Sequence, residues 1–325
     1  GESGMNQHMF SRLWVLIRRE IWESPVAFKW TPLIIAGFIL LVTVLLLIIG
    51  AKVDNEQVFT IDGIRMYAQM DDAQQRLMAA GVMFSAGSLF HQIMFLVVVF
   101  YLAGSLYDDR RDRSILFWKS LPVSDRMTVT SKILTAMVAA PIMYLGGIAF
   151  IQLSLVLIAS GYGLMADINI FTEVWAPANL PKVWAVTLLG SLVQSLWLLP
   201  IYAWLMFCSS WAPRLPILIA VLVPVLIGMF QHFWSFFSNF RLPDFNLLWV
   251  ILERIGRGVM PASIEWEQIV TESQTAPSFV PREEMLMSFK SIGNAFVSWE
   301  MWIGVAIGML FLAGSIWFRR RATDS

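Results

Sequence analysis

The chain alternates between long apolar stretches and short charged segments, and the length of the apolar stretches predicts the fold. A helix that crosses a bilayer needs about 20 mostly apolar residues. Six stretches meet this requirement, at approximately 30–50, 84–106, 133–159, 183–207, 215–235 and 299–318. Pro200 and Pro224 lie inside two of them and predict local kinks. The pattern therefore predicts an all-α integral membrane protein with six transmembrane helices.

A helical pattern also precedes the first span. Apolar residues recur with the spacing of one helical face at Phe10, Leu13, Trp14, Ile17 and Ile21. Arg18, Arg19 and Glu20 are expected to lie largely off that face. We expect residues 5–29 to form an amphipathic helix at the membrane interface, with Arg18 at the water. A second apolar stripe at 247–255 is too short to span the bilayer, and it is expected to lie at the interface or to re-enter.

The distribution of Lys and Arg predicts the orientation. If the chain begins in the cytoplasm, fourteen cations fall on the inner segments and only four on the two shorter outer loops. Because inner loops carry the excess of Lys and Arg, both termini are expected in the cytoplasm of a bacterial cell, with the chain in its plasma (inner) membrane. The expected organisation is an interface helix at 5–29, five spans within 30–235, an outer cap or re-entrant segment at 236–298, and a last span with a basic tail at 299–325. The first five spans enclose an outer loop at 51–83 and an inner loop at 107–126.

Composition narrows the classes of function. The chain has 325 residues, of which 58% are hydrophobic and 14% charged, whereas a soluble domain has roughly 25% charged residues. The formal charge of zero gives no basic footprint for nucleic acid. A phosphate-binding GxxxxGK[ST] loop is absent from the sequence. Three scattered histidines and the single Cys208 predict no metal site, and the Glu283-Glu284 pair falls in a polar loop. An enzyme is not expected.

The spans carry some uncharged polar residues. Candidates for a solute pathway are Ser88, Gln92, Gln152 and Gln194. Such side chains commonly hold neighbouring helices together. They could equally line a weakly polar path for an amphipathic or lipid-like solute. Ionisable residues are nearly absent away from the span ends, which argues against transport driven by an ion gradient.

The most specific segment is the inner loop at 107–126. Charges of both signs at 108–113 are followed by large apolar residues at 115–118 and by a Ser-Leu-Pro-Val-Ser turn at 120–124. A basic inner loop explains the arginines but not the acids or the apolar cluster. Aromatic and arginine side chains are typical anchors of protein interfaces. We predict that this loop docks a partner through Asp109, Arg110, Arg113, Ile115, Leu116, Phe117, Trp118 and Leu121.

The same loop resembles the permease subunits of type-2 ABC exporters. Those subunits carry an acidic-Arg pair after the second span, a short aliphatic helix, and a Leu-Pro turn before a Ser-Lys entry into the third span. The matching residues here are Asp109-Arg110, Ile115-Leu116, the turn at 120–124 and Ser131-Lys132. The six spans, the amphipathic first helix and the long loop before the last span also fit. Arg113 departs from the pattern, since many members have Gly there, and both outer loops are longer.

The resemblance implies that this chain is the membrane-spanning subunit of an ATP-driven exporter. Two copies of a separate ATPase would bind ATP and Mg, with no cofactor in this chain, and a second permease subunit, identical or related, would complete the pathway through the lipid bilayer. The expected cargo is hydrophobic or amphipathic. Two alternatives stay open: a non-transporting membrane anchor or sensor that docks a cytoplasmic factor, and a lipid-handling module whose outer cap receives ligands.

Overall fold

The computed structural model describes residues 2–50, 61–112, 123–237, 246–275 and 282–321, and these residues form helices joined by short connections. The helices are α1 (Glu2–Glu23), α2 (Thr31–Gly50), α3 (Ile61–Ala68), α4 (Asp72–Arg111), α5 (Asp125–Leu134), α6 (Ala140–Met165), α7 (Leu180–Trp197), α8 (Leu199–Trp211), α9 (Pro216–Phe237), α10 (Leu247–Gly258), α11 (Trp266–Thr275), α12 (Phe289–Val297) and α13 (Trp299–Arg321). Single π-helical turns occur at Val26–Trp30, Thr135–Ala139 and Phe171–Trp175, and short helical segments at Ala176–Ala178 and Glu283–Leu286.

Several of these helices have the length and composition of membrane spans. Five helical segments of the described chain qualify, at Val26–Ile49, Asp72–Arg111, Asp125–Met165, Pro216–Trp234 and Trp299–Arg321. A sixth candidate is a bent pair, Phe171–Trp197 and Leu199–Trp211, whose axes differ by 55°. The described residues thus have the all-α architecture of a membrane protein, with five candidate spans, or six if the bent pair is counted as one.

The bend in this pair lies at Leu198, next to the predicted kink at Pro200. Proline has no backbone N–H and cannot continue the hydrogen-bond pattern of α7. The N–H groups of Ile201 and Tyr202 both donate hydrogen bonds to the carbonyl of Leu198, at 2.9 and 3.0 Å. The carbonyl of Trp197 instead accepts a hydrogen bond from Arg254 of α10, at 2.7 Å. A kink near Pro200 is confirmed, whereas α9 continues through Pro224.

Two helices are much longer than a membrane requires. Helix α4 has 40 residues, and α5 continues through the π turn into α6 over 41 residues. At about 1.5 Å per residue each is about 60 Å long, roughly twice the hydrocarbon thickness of a bilayer. The predicted spans at 84–106 and 133–159 cover only their middle parts. The polar beginning of α4 is helical because Asp71 caps it, accepting a hydrogen bond from the N–H of Gln74 at 2.8 Å.

The helices enclose two apolar cores. The first lies among α2, α4, α5–α6 and α8 and includes Leu102, Tyr144 and Met206. The second, which includes Met83 and Val186, joins the start of α4 to the end of α6, α7 and α12. We call the end of the bundle with the second core the cap end. The opposite end, where α1 packs on α5, is called the α1 end.

Candidate functional site

Five charged side chains from four helices meet at the α1 end. The Nζ of Lys132 lies 3.1 Å from Oε2 of Glu20 and 3.7 Å from Oδ1 of Asp109. Arg319 places Nη1 2.9 Å from Oδ2 of Asp109 and Nε 3.2 Å from Oδ1 of Asp125. Each cation therefore contacts two carboxylates. These five residues are called the charge cluster.

Three members of the charge cluster are buried, and Asp109 and Asp125 are partly buried. The side chains of Glu20 and Arg319 are each 3% exposed, and that of Lys132 is 4% exposed. Removal of an ion from water costs several kcal/mol unless a partner compensates it. The hydroxyl of Tyr101 donates a further hydrogen bond to Glu20, at 2.8 Å. The four helices can therefore pack together at this end only because their charged side chains form ion pairs with one another.

Local helix geometry favours several members of the cluster. Asp125 lies in the first turn of α5, behind Ser124, whose side chain accepts a hydrogen bond from the N–H of Met127 at 3.3 Å. A carboxylate is stabilised at the positive end of a helix dipole, and a cation at the negative end. Arg319 lies in the last turn of α13. Asp109, at the end of α4, lacks this benefit and is stabilised by Lys132 and Arg319.

Two of the predicted docking residues are used inside the chain. Asp109 belongs to the charge cluster, and Arg110 donates from Nη2 to the carbonyls of Ser209 and Ala212, at 2.9 and 2.8 Å. These carbonyls lie at the end of α8, so Arg110 joins α4 to α8. The other predicted docking residues lie outside the described residues, namely Arg113, Ile115, Leu116, Phe117, Trp118 and Leu121. Their contact with a partner stays a prediction.

The flanks of the segment at 113–122 are held together. Asp109 precedes the segment and Asp125 follows it, and one guanidinium, that of Arg319, contacts both carboxylates. Lys132 contacts both Asp109 and Glu20, and it thereby links Asp109 to α1 as well. The two ends of the predicted docking loop are therefore fixed to each other, to the last helix and to the first.

Helix α1 is amphipathic, but its buried face differs from the predicted one. Leu16 is 8% exposed and Glu20 3% exposed, whereas Trp14 is 60% exposed. Arg18 is also exposed, and the other predicted interface residues are half-buried, namely Leu13, Ile17 and Ile21. The expectation that Glu20 lies off the buried face is wrong, because Lys132 and Tyr101 bind its carboxylate. The spacing of four residues from Leu16 to Glu20 was the signal for this placement.

Three of the four predicted pathway residues have ordinary surroundings. Gln152 is 1% exposed; its Nε2 donates to the carbonyl of Met83 and its Oε1 accepts from Nε1 of Trp184, both at 2.9 Å. It joins α4, α6 and α7, as the helix-pairing interpretation expects. Ser88 donates to the carbonyl of Ser85 within α4. Gln92 is exposed on the surface of the bundle.

Gln194 is different. It is 2% exposed, and its Nε2 donates to the carbonyl of Gly258. Its Oε1 is buried and has no hydrogen-bond partner. Gln194 lines a cavity of about 470 Å³ at the cap end, between α7, α12, the start of α13 and the chain at 257–268. This space is called the cap cavity.

A half-buried arginine lies beside the cap cavity. The guanidinium of Arg254 is 4.4 Å from the centroid of the Trp197 ring, and its Nη2 has no hydrogen-bond partner. Burial lowers the pKa of Arg254, with Glu300 acting in the opposite direction. Arg254 supplies the hydrogen bond to the broken end of α7 described above, so it supports the wall of the cavity rather than lining it.

The described residues show no arrangement for a metal ion: nowhere in them do three or more His, Cys, Asp or Glu side chains gather around one point. His91 lies between α4 and α7, with Nδ1 2.9 Å from the carbonyl of Gly87 and Nε2 3.0 Å from Oγ of Ser191. This histidine therefore links two helices.

Comparison of the chain with protein-family models, curated proteins and solved structures found no match. The resemblance of the loop at 107–126 to type-2 ABC exporter permeases rests on the residues of this sequence. The structure shows two further features of this chain. One is the charge cluster around the flanks of the loop, and the other is the cap cavity with its unpaired amide oxygen.

Proposed function

We propose that this chain is the membrane-spanning subunit of an ATP-driven exporter, similar to the permeases of type-2 ABC exporters. In this proposal the loop at 107–126 couples it to a separate ATPase, present in two copies, which binds ATP and Mg. A second permease subunit completes the pathway for a hydrophobic or amphipathic cargo. The observation that supports the proposal most is the attachment of both flanks of 113–122 to four helices through the charge cluster.

Coupling requires that movement of the docked loop reach the helices of the membrane. Asp109 and Asp125 cannot separate unless one of them loses its contact with the buried Arg319. Breaking a buried ion pair costs about 3–5 kcal/mol, and less where one partner is partly exposed, as these carboxylates are. The flanks of the loop therefore move together. A partner with two states, each gripping the loop differently, would shift α4, α5 and α13 as a unit.

The loop divides its residues between two tasks in this proposal. Asp109 and Arg110 hold its base against the bundle, at the distances given above. Phe117 and Trp118 supply the apolar surface that enters a groove of the ATPase, because large aromatic side chains dominate the energy of protein interfaces. Arg113 lies between the base and the aromatic pair and contributes a charge to the rim of the contact.

The test is affinity isolation of the protein in mild detergent, with identification of bound subunits and measurement of ATP hydrolysis. We expect an ATPase to co-purify and the double variant Phe117→Ala, Trp118→Ala to weaken its binding at least about thirtyfold, since a truncated interface anchor costs about 2 kcal/mol or more. Trp249→Ala is the matched control, because Trp249 is 69% exposed on α10 at the cap end. Arg110 stays intact, since it binds the end of α8.

Unchanged co-purification and unchanged ATP hydrolysis in the double variant would refute the coupling role of the loop. Movement of solute by the purified protein without any nucleotide-hydrolysing subunit would refute the exporter assignment. Docking of a partner whose ATP turnover ignores every candidate cargo would favour the membrane anchor or sensor.

A further inference from the structure

The geometry points to the cap cavity as a binding site for a primary ammonium group carried on an apolar body. This inference concerns a ligand that the protein binds at the cap end, and it holds whether or not a partner drives transport. It rests on one buried acceptor, on the carboxylates of the lining and on the apolar wall.

The buried acceptor is Oε1 of Gln194. The carbonyl of Gly258 can only accept a hydrogen bond, so the amide nitrogen of Gln194 must face it. The amide oxygen is thereby turned away from Gly258, and it is buried with no partner in the chain. A buried acceptor without a donor destabilises the protein, because it has lost its hydrogen bonds to water. A ligand N–H in the cap cavity would supply that donor.

The charged side chains of the lining favour a cation. Glu265 and Glu300 present carboxylates, and the lining includes one guanidinium, that of Arg257. Arg257 already pairs with Glu253, its Nη2 lying 2.8 Å from the carboxylate oxygen. Arg254, which lies outside the lining, already acts on Glu300, so Glu265 is the lining carboxylate that a positively charged ligand would meet. A primary ammonium group combines this charge with the N–H donors that Gln194 needs.

The remaining wall is apolar and aromatic. Trp197, Met260, Pro261 and Trp299 line the cavity, whose volume of about 470 Å³ lies in the range of small-molecule sites. The guanidinium of Arg254 lies over the ring of Trp197, so Trp299 is the lining tryptophan available to attract an ammonium group. Trp299 begins the last span and is 71% exposed, so an apolar tail can reach the cavity from the membrane interface. The ammonium group can belong to a phosphatidylethanolamine headgroup or to a soluble amine.

The test titrates octylammonium chloride and octyltrimethylammonium chloride into the purified full-length protein in dodecyl maltoside, measured by isothermal calorimetry. Both probes carry one positive charge, but the trimethyl form has no N–H. We expect saturable binding of octylammonium at one site per chain and at least tenfold weaker binding of the trimethyl form. Gln194→Leu should weaken octylammonium at least tenfold and remove the difference between the probes. Gln92→Leu, an exposed glutamine on α4, should change neither.

Gln194→Leu also removes the hydrogen bond to the carbonyl of Gly258 and could therefore misfold. A second variant keeps the inference testable in that case. Glu265→Gln keeps an oxygen for the hydroxyl of Ser288, which lies 3.1 Å from Glu265, and should weaken both probes about fivefold to tenfold. Equal affinities for the two probes in the unmodified protein, no saturable binding, or full affinity in Glu265→Gln would each overturn the inference. Native mass spectrometry identifies the source. Retained phosphatidylethanolamine that octylammonium displaces supports the lipid headgroup, and octylammonium binding without retained lipid supports a soluble amine.

Discussion

Arg319 shows how a single side chain can organise one end of this protein. Its guanidinium contacts carboxylates of α4 and α5 from the last turn of α13, and it is almost completely removed from water. The neighbouring Arg320 is exposed. Two arginines that look alike in a basic tail therefore have different physical roles.

Substitution of these two arginines gives a matched test. Arg319→Met should lower the free energy of unfolding by about 2–3 kcal/mol, because the partly buried carboxylates of Asp109 and Asp125 are left with one cation fewer. Arg320→Met should change it by no more than about 0.5 kcal/mol. Thermal unfolding in detergent measures both. Equal losses in the two variants would show that the charge cluster does not hold this end together.

Helices α8 and α13 approach each other closely at a glycine. A methyl group added at Gly308 of α13 would lie 2.7 Å from Cγ and 3.2 Å from the carbonyl oxygen of Leu199. The absence of a side chain thus lets α13 approach the backbone at the break between α7 and α8. Small residues serve this purpose at many membrane helix pairs.

This close approach predicts opposite signs for two glycine substitutions. Gly308→Ala should lower the free energy of unfolding by about 1–3 kcal/mol, because it overfills the contact with Leu199. Gly161→Ala on α6 meets nothing within 4 Å and should raise it by up to about 1 kcal/mol, since alanine favours the helix. Thermal unfolding of the two variants decides the matter, and a shift in the same direction for both would contradict the packing argument.

The distribution of Lys and Arg over the whole chain predicts which end of the bundle faces the cytoplasm. The α1 end carries the charge cluster and the ends of the loop at 107–126. The cap end carries the second apolar core and the cap cavity. The orientation inferred from Lys and Arg places the α1 end inside the cell and the cap end outside.

Cysteine labelling tests this orientation directly. Cys208 is the single cysteine of the chain and is buried, so the unmodified protein should not react with a membrane-impermeant maleimide. Gln268→Cys, at an exposed site of the cap end, should be labelled in intact cells. Arg126→Cys, at an exposed site of the α1 end, should be labelled only after permeabilisation. The reverse pattern would invert the topology and exclude docking of a cytoplasmic ATPase at 107–126.

Five of the six predicted spans coincide with long apolar helices, because hydrophobicity is the main determinant of such helices, and the sixth, 183–207, falls across the bent pair. The sequence missed the polar part of α4, since a cap at Asp71 and packing in the second core, rather than apolar content, make that part helical. It placed Glu20 on the wrong face because the carboxylate is buried through residues more than 80 positions away, namely Tyr101 and Lys132. The unpaired oxygen of Gln194 depends on the position of Gly258, which the sequence pattern does not reveal.

The length of α4 and of the α5–α6 rod has a mechanical consequence. Each runs from the charge cluster to the second core, so a rigid helix of this length would carry a tilt from one end of the bundle to the other. A small tilt imposed at one end would displace the other end sideways, with no change of conformation between them. The bent pair α7–α8 changes direction at Leu198, and its second helix, α8, packs on α13. A force applied to the helices at one end of the bundle would thus change their arrangement at the other end.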